Sequence, residues 1–152
     1  MRTASRTLVA ISVLTVSVLA QPKPAFSGRW VITSPADSAG QEQIVTQDAK
    51  TLTVEHGSEG GGHKMSYQLD GVERRMAIPG RAAADITMLA KASWNGNTIV
   101  VLTNISYPNG MKTQSKDVWS IDAQGRLVID STETGSTGPG PVVVKMIHVK
   151  KK

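Results

Sequence analysis

From Asp48 onward the chain repeats one short unit, an alternating apolar and polar run closed by a turn signal. The closers are Asp48-Ala49-Lys50, Asp70-Gly71, Pro79-Gly80, Asn95-Gly96-Asn97, Pro108-Asn109-Gly110 and Asp122-Ala123-Gln124-Gly125. Strands joined by tight turns, with no helical period between them, form an antiparallel up-and-down meander. A meander this long is expected to close into an all-β barrel of about 8–10 strands. A closed barrel has an interior, and the interior is where a function would sit. The expected strands are 29–33, 41–47, 50–56, 63–70, 72–78, 85–94, 98–107, 111–121, 126–134 and 142–150. The glycine-rich stretches Gly57–Gly62 and Gly135–Gly140 stand apart from the tight turns and read as rim loops. The first lacks the Gly-Lys-Ser/Thr ending and following helix of a phosphate loop.

The turns fix which side chains share a face. Pro108-Asn109-Gly110 suits a three-residue loop that pairs Tyr107 with Met111, and hence Ile105 with Thr113, Thr103 with Ser115, Val101 with Asp117 and Ile99 with Trp119. Gln124-Gly125 then pairs Ile121 with Leu127, Trp119 with Ile129 and Asp117 with Ser131. A two-residue loop at Asn95-Gly96 or Gly96-Asn97 puts Trp94, Ala92, Ala90, Met88 and Ile86 on that same face. The face is graded. Trp94, Ile99, Trp119, Ile121, Leu127 and Ile129 form a plug towards one end; Ala90, Thr103, Ser115, Asp117 and Ser131 are small or polar further along. Inward polar groups need partners or water, so the reading is a barrel plugged at one end and hollow at the other. A hairpin at Asp70-Gly71 would pair Leu69 with Val72, Tyr67 with Arg74 and Met65 with Met76, turning Tyr67 and Arg74 inward together. There Arg74 either grips an anionic ligand or forms an internal ion pair with Asp117 or Glu133.

Ahead of the meander, Arg2 and Arg6 precede an apolar core, Leu8 to Leu19, and Val18-Leu19-Ala20 has the small residues of a cleavage site. The core is too short for a transmembrane helix, and Gln21-Pro22-Lys23-Pro24 breaks it. The expected organisation is therefore a signal peptide over 1–20 and one barrel domain over 21–152 with a basic C-terminal tail, secreted or periplasmic, with no transmembrane segment. Cysteine is absent, so an exported chain of this kind depends on its core and its hydrogen-bonded sheet. Of the net charge of +5, the leader arginines supply two and Lys150, Lys151 and Lys152 the other three, leaving a neutral body. The lysines read as a solvated tail, with weak contact to an anionic envelope surface as the alternative. No basic stripe interleaved with aromatics supports nucleic-acid binding.

The opening of the first strand, Phe26-Ser27-Gly28-Arg29-Trp30, resembles the Gly-x-Trp start of lipocalins and the Phe-x-Gly-x-Trp start of fatty-acid-binding proteins, together the calycin superfamily. Trp94-Asn95-Gly96 and Val118-Trp119-Ser120 are similar to stretches of small exported bacterial lipocalin-like proteins. The resemblance implies a lipocalin-like β-barrel with Trp30 closing its floor, often beneath a basic side chain from the last strand. Two features depart from it. Ser34 to Gly40 is too short for the helical lid of fatty-acid-binding proteins, and the last strand carries Lys145 and His148 but no arginine. Lys145 replaces the floor arginine only if it faces inward, and the Gly135–Pro141 connection leaves that register open.

His56 and His63, with Glu55 and Glu59, match no recognised metal-ligand spacing, so no metal is expected. His148 with Glu133 or Asp130 lacks a nucleophile elbow, a triad or a spaced carboxylate pair, so neither catalysis nor a cofactor is expected. The expected function is binding of a small amphipathic or anionic ligand in the barrel mouth. Tyr67 and Arg74 would orient its polar end, Thr103, Tyr107, Ser115 and Asp117 would line the cavity, and Trp30, Trp94 and Trp119 would form the floor. The alternative is a non-catalytic envelope or interaction protein with a filled barrel and functional rim loops.

Overall fold

The computed structural model describes residues 22–57, 63–78, 86–135, 138 and 140–152. The leader expected over 1–20, the turn at Pro79-Gly80, most of the first glycine-rich loop and half of the second lie outside the described residues. Ten strands run in chain order: β1 Gly28–Ser34, β2 Glu42–Gln47, β3 Thr51–His56, β4 His63–Gln68, β5 Arg74–Met76, β6 Thr87–Asn95, β7 Thr98–Ser106, β8 Lys112–Ile121, β9 Leu127–Gly135 and β10 Val142–Lys150. A 3-10 turn at Ala36–Ser38 is the one helical element among the described residues. No helix in them is long and apolar enough to cross a membrane. The strands form one antiparallel sheet in the order β4-β3-β2-β1-β10-β9-β8-β7-β6-β5. The first and last strands meet where β1 pairs with β10, and the sheet curls into a nearly closed barrel.

The glycine turns set the registers read from the sequence. Thr103 lies opposite Ser115, Val101 opposite Asp117 and Ile99 opposite Trp119, and Asp117 in turn lies opposite Ser131. The tight turns work because Gly110 and Gly125 adopt positive φ, 82° and 73°, which other residues adopt only with strain. Between β6 and β7 the loop is Gly96-Asn97, with Asn95 opposite Thr98.

The expected hairpin at Asp70-Gly71 does not form. β4 pairs with β3 and β5 with β6, so Tyr67 lies opposite Leu52 and Arg74 opposite Ala90, not opposite each other. β4 and β5 are the two outer strands of the sheet, and the barrel wall is open between them. One end of the opening is pinned where Asp70 bridges to Ser93 and the Gly71 amide donates to the Ala92 carbonyl at 2.8 Å. The local chemistry explains the difference. Asp70 accepts from the Val72 amide at 3.0 Å and holds the Arg74 guanidinium, making a corner that carries the chain to β6 instead of back along β4. The fifth strand is correspondingly short, 74–76 where 72–78 was expected.

Alternation places one row of each strand inside. Phe26, Trp30, Val45, Leu52, Val54, Ala92, Ile99, Val101, Trp119, Leu127 and Ile129 form the core cluster. Trp30 closes the floor: it is 1% exposed, and its Nε1 donates to the Phe26 carbonyl at 2.8 Å. The basic residue over its ring is Lys150, whose Nζ lies 5.5 Å from the ring centroid. Lys145 faces outward and pairs with Asp130 at 3.3 Å, while His148 faces inward and is 1% exposed. The tail stays attached beyond the last strand: the Lys151 amide donates to the Arg29 carbonyl at 2.8 Å, and its ammonium pairs with Glu42.

Candidate functional site

A cavity of about 230 Å³ lies inside the barrel and is walled by nearly every strand. Ile32 comes from β1, Gln43 from β2, Val54 and His56 from β3, and Tyr67 from β4; Val101 comes from β7, Asp117 and Trp119 from β8, Ile129 from β9, and Met146 and His148 from β10. Ser38 and Gln41, in the connection from β1 to β2, add two loop positions. The strand residues fall on the inward row because the registers chain them together: Gln43 opposes His56, Val101 opposes Asp117, and Trp119 opposes Ile129, which opposes Met146.

The apolar part of this wall is Ile32, Val54, Val101, Ile129 and Met146. Its polar part contains two unsatisfied donors. Gln43 is 2% exposed and Trp119 6% exposed, yet among the described residues Gln43 Nε2 and Trp119 Nε1 have no hydrogen-bond partner. A buried donor left unpaired costs about 1–3 kcal/mol, so two of them on residues that line one cavity is a costly arrangement. Asp117 is half-buried and accepts from Ser131 Oγ at 2.6 Å. Burial pushes its carboxyl up from the ordinary value; the Ser131 bond opposes this and nearby Glu133 adds to it. Burial, aided by Asp117, pushes the Tyr67 hydroxyl up to about 12, so Tyr67 is a neutral donor and acceptor. The His148 ring is pushed down, first by burial and also by His56, against a contact of its Nδ1 with the Leu127 carbonyl at 3.4 Å. His56 is pushed down by burial and by His63 across the strand pair. Both imidazoles therefore favour the neutral form.

Of the residues singled out in the sequence, Tyr67, Asp117 and Trp119 meet at this cavity. Arg74 does not reach it. Its two terminal nitrogens each donate to one Asp70 carboxylate oxygen at 2.7 Å, so its counter-ion is Asp70, not Asp117 or Glu133, and the pair is 42% and 49% exposed. Arg74 and Tyr67 do share a small hollow of about 30 Å³ with Ala90 and Ala92 at the β4–β5 opening. Thr103 is buried in the wall opposite Ala90 and Ser115, Ser115 also opposes Glu133, and Tyr107 closes the β7–β8 turn through its amide to the Met111 carbonyl at 2.9 Å. None of these three is among the cavity's lining residues. On the floor, Trp94 packs against Phe26 with ring centroids 5.9 Å apart, and Lys23 lies 4.4 Å from the Trp94 centroid.

Sequence reasoning did not place Gln43, His56, Met146 or His148 at the cavity, although it weighed His56 as a metal ligand and His148 as an acid–base group or an inward residue of the last strand. The signal for the first two was present: the Asp48-Ala49-Lys50 turn sets Gln47 opposite Leu52, and counting back by twos puts Gln43 and His56 on the face of Val45 and Val54. A larger depression of about 650 Å³ adjoins this cavity, sharing Ile32, Gln41, Gln43 and His56 with it and adding Arg29, Glu42 and Lys151. It is a surface depression whose Arg29 and Lys151 charges are drawn to Glu42.

No family model and no curated protein matches the chain. Among solved structures it is similar to a mutant of the REP1-NXSQ fatty acid transporter, with a TM-score of 0.57 and 12% identity over 82% of this chain and 97% of that one. It is also similar to a mutant of the fluorescent protein UnaG, with a TM-score of 0.53 and 18% identity over 84% of this chain and 96% of that one. The chain shares the antiparallel β-barrel fold of these two structures. At these identities the likeness is one of fold, and this chain's interior must be read from its own side chains.

Proposed function

We propose that this is an exported, non-catalytic calycin-type barrel that binds a small amphipathic molecule in its interior cavity. The observation that carries the reading is the pairing of an apolar wall with two buried, unpartnered N–H donors, Gln43 Nε2 and Trp119 Nε1. A ligand with an apolar body and an accepting polar end would satisfy both parts. The likeness of the barrel to that of a fatty acid transporter supports a carrier role, and the leader-like sequence of residues 1–20 supports export. The cavity itself weighs against a filled barrel whose role lies only in its rim loops.

Size narrows the ligand. Drug-sized molecules occupy sites of about 300–1,000 Å³, and 230 Å³ lies below that range. A compact molecule fits; a long chain would have to protrude or push the walls apart. Native mass spectrometry of the protein purified from its own host tests the proposal. The expected result is a co-purifying small molecule that is lost on unfolding. A protein that carries nothing and gains no mass with any small amphipathic probe would contradict the reading.

A further inference from the structure

The polar end of the cavity holds one acid and no lysine or arginine among the described residues. Asp117 is the only carboxylate that lines it, and no cation among those residues pairs with it. Its neighbours come from every element packed around it: Val101 opposite it on β7, Ser131 on β9, Tyr67 across the cavity on β4, and Glu133 further along β9. Of these four, Ser131 donates to it, through Oγ at 2.6 Å. An ionised carboxylate has about four lone-pair sites, and the Ser131 bond fills one of them. The two histidines on the same wall favour their neutral forms and do not balance it. The Arg74 guanidinium, the counter-charge that the sequence suggested, is held by Asp70.

We propose that the occupant is a compact amphipathic amine: its ammonium pairs with Asp117, its apolar part lies on Val54, Val101 and Ile129, and a neighbouring oxygen accepts from Trp119 Nε1 and Gln43 Nε2. This rests on the carrier reading above and specifies its ligand class. The charge decides it. An anionic ligand would meet Asp117 as a like charge with no lysine or arginine on the wall to offset it, whereas an ammonium supplies the donors that Asp117 lacks. The aromatic rings of Trp119 and Tyr67 on the same wall favour a cation as well. An amino alcohol is the simplest molecule with all three features.

Four probes of matched chain length test this by isothermal titration at pH 7.5: 2-amino-1-hexanol, hexylamine, 1-hexanol and hexanoate. The amines are expected to bind about tenfold or more tightly than 1-hexanol, because a charge-assisted contact is stronger than a neutral one. Hexanoate is expected to be weakest, and 2-amino-1-hexanol tighter than hexylamine. In Asp117→Asn the amine preference over 1-hexanol should fall to about threefold or less; should that variant not fold, the ranking in the parent decides alone. Hexanoate or 1-hexanol binding as tightly as the amines, or an amine preference that survives in folded Asp117→Asn, would overturn the amine assignment and leave the carrier reading standing. Binding of none of the four would overturn both.

Discussion

Arg74 and Asp70 show how a nearby partner can outweigh strand register in aiming a side chain. An arginine opposite Ala90 sits on the inward row, yet its guanidinium turns back to a carboxylate four residues earlier and meets it with two bonds of 2.7 Å. The Arg74 bond, with the Val72 amide, holds the Asp70 carboxyl down at about 2. A carboxyl depressed on folding contributes stability above its unfolded value near 3.8, and the contribution is lost as pH falls through about 2. The pair is exposed, so its effect on overall stability is small. NMR titration of the Asp70 side-chain carbon should give a midpoint near 2 in the parent and one much closer to 3.8 in Arg74→Ala. An unchanged midpoint in the variant would show that Arg74 does not hold Asp70. Composition and turn chemistry could not distinguish these outcomes, because Asp-Gly serves equally for a hairpin and for a corner stabilised by the aspartate side chain. Trp30 was legible for the opposite reason: an apolar ring on a first strand has one place to go, and it is 1% exposed.

At the scale of strands, the C-terminal half of the barrel could be read almost residue by residue. Three consecutive turns from β6 to β9 each contain a glycine at positive φ, and each pins the next register. Space is not what requires glycine there: a Cβ at Gly110 or Gly125 would meet nothing within 4 Å. The cost of substitution is conformational only. Gly110→Ala and Gly125→Ala should each lower stability by about 1 kcal/mol in urea titration, with the barrel retained. Losses near zero would mean that the turns do not hold the registers. β1 was harder to place on a face, because the Ser34–Gly40 connection interrupts the count between β1 and β2. Gln43, His56 and Tyr67 are among the seven cavity residues that the N-terminal half supplies. The face of β10 was hidden likewise behind the Gly135–Pro141 connection, so the choice between Lys145 and His148 had to come from the pairing of His148 with Leu127.

For the molecule as a whole, the barrel is open where β4 and β5 fail to pair, and its cavity is assembled from strands far apart in sequence. The sequence could indicate a graded interior but not its depth. Small side chains at Ala90, Thr103 and Ser115 face one another across adjacent strands, and the space lies instead beside Trp119, where the facing wall supplies Gln43, Val54 and His56. The tryptophans can report individually on whether that space binds a ligand. Trp30 Nε1 is already bonded to the Phe26 carbonyl, while Trp119 Nε1 is unpartnered among the described residues at the cavity wall. The direct measurement is an indole N–H NMR spectrum, assigned by single tryptophan-to-phenylalanine substitutions and recorded while 2-amino-1-hexanol is added. The account expects the Trp119 resonance to move downfield and saturate while the Trp30 resonance stays in place; a complex that forms with Trp119 unmoved would contradict it.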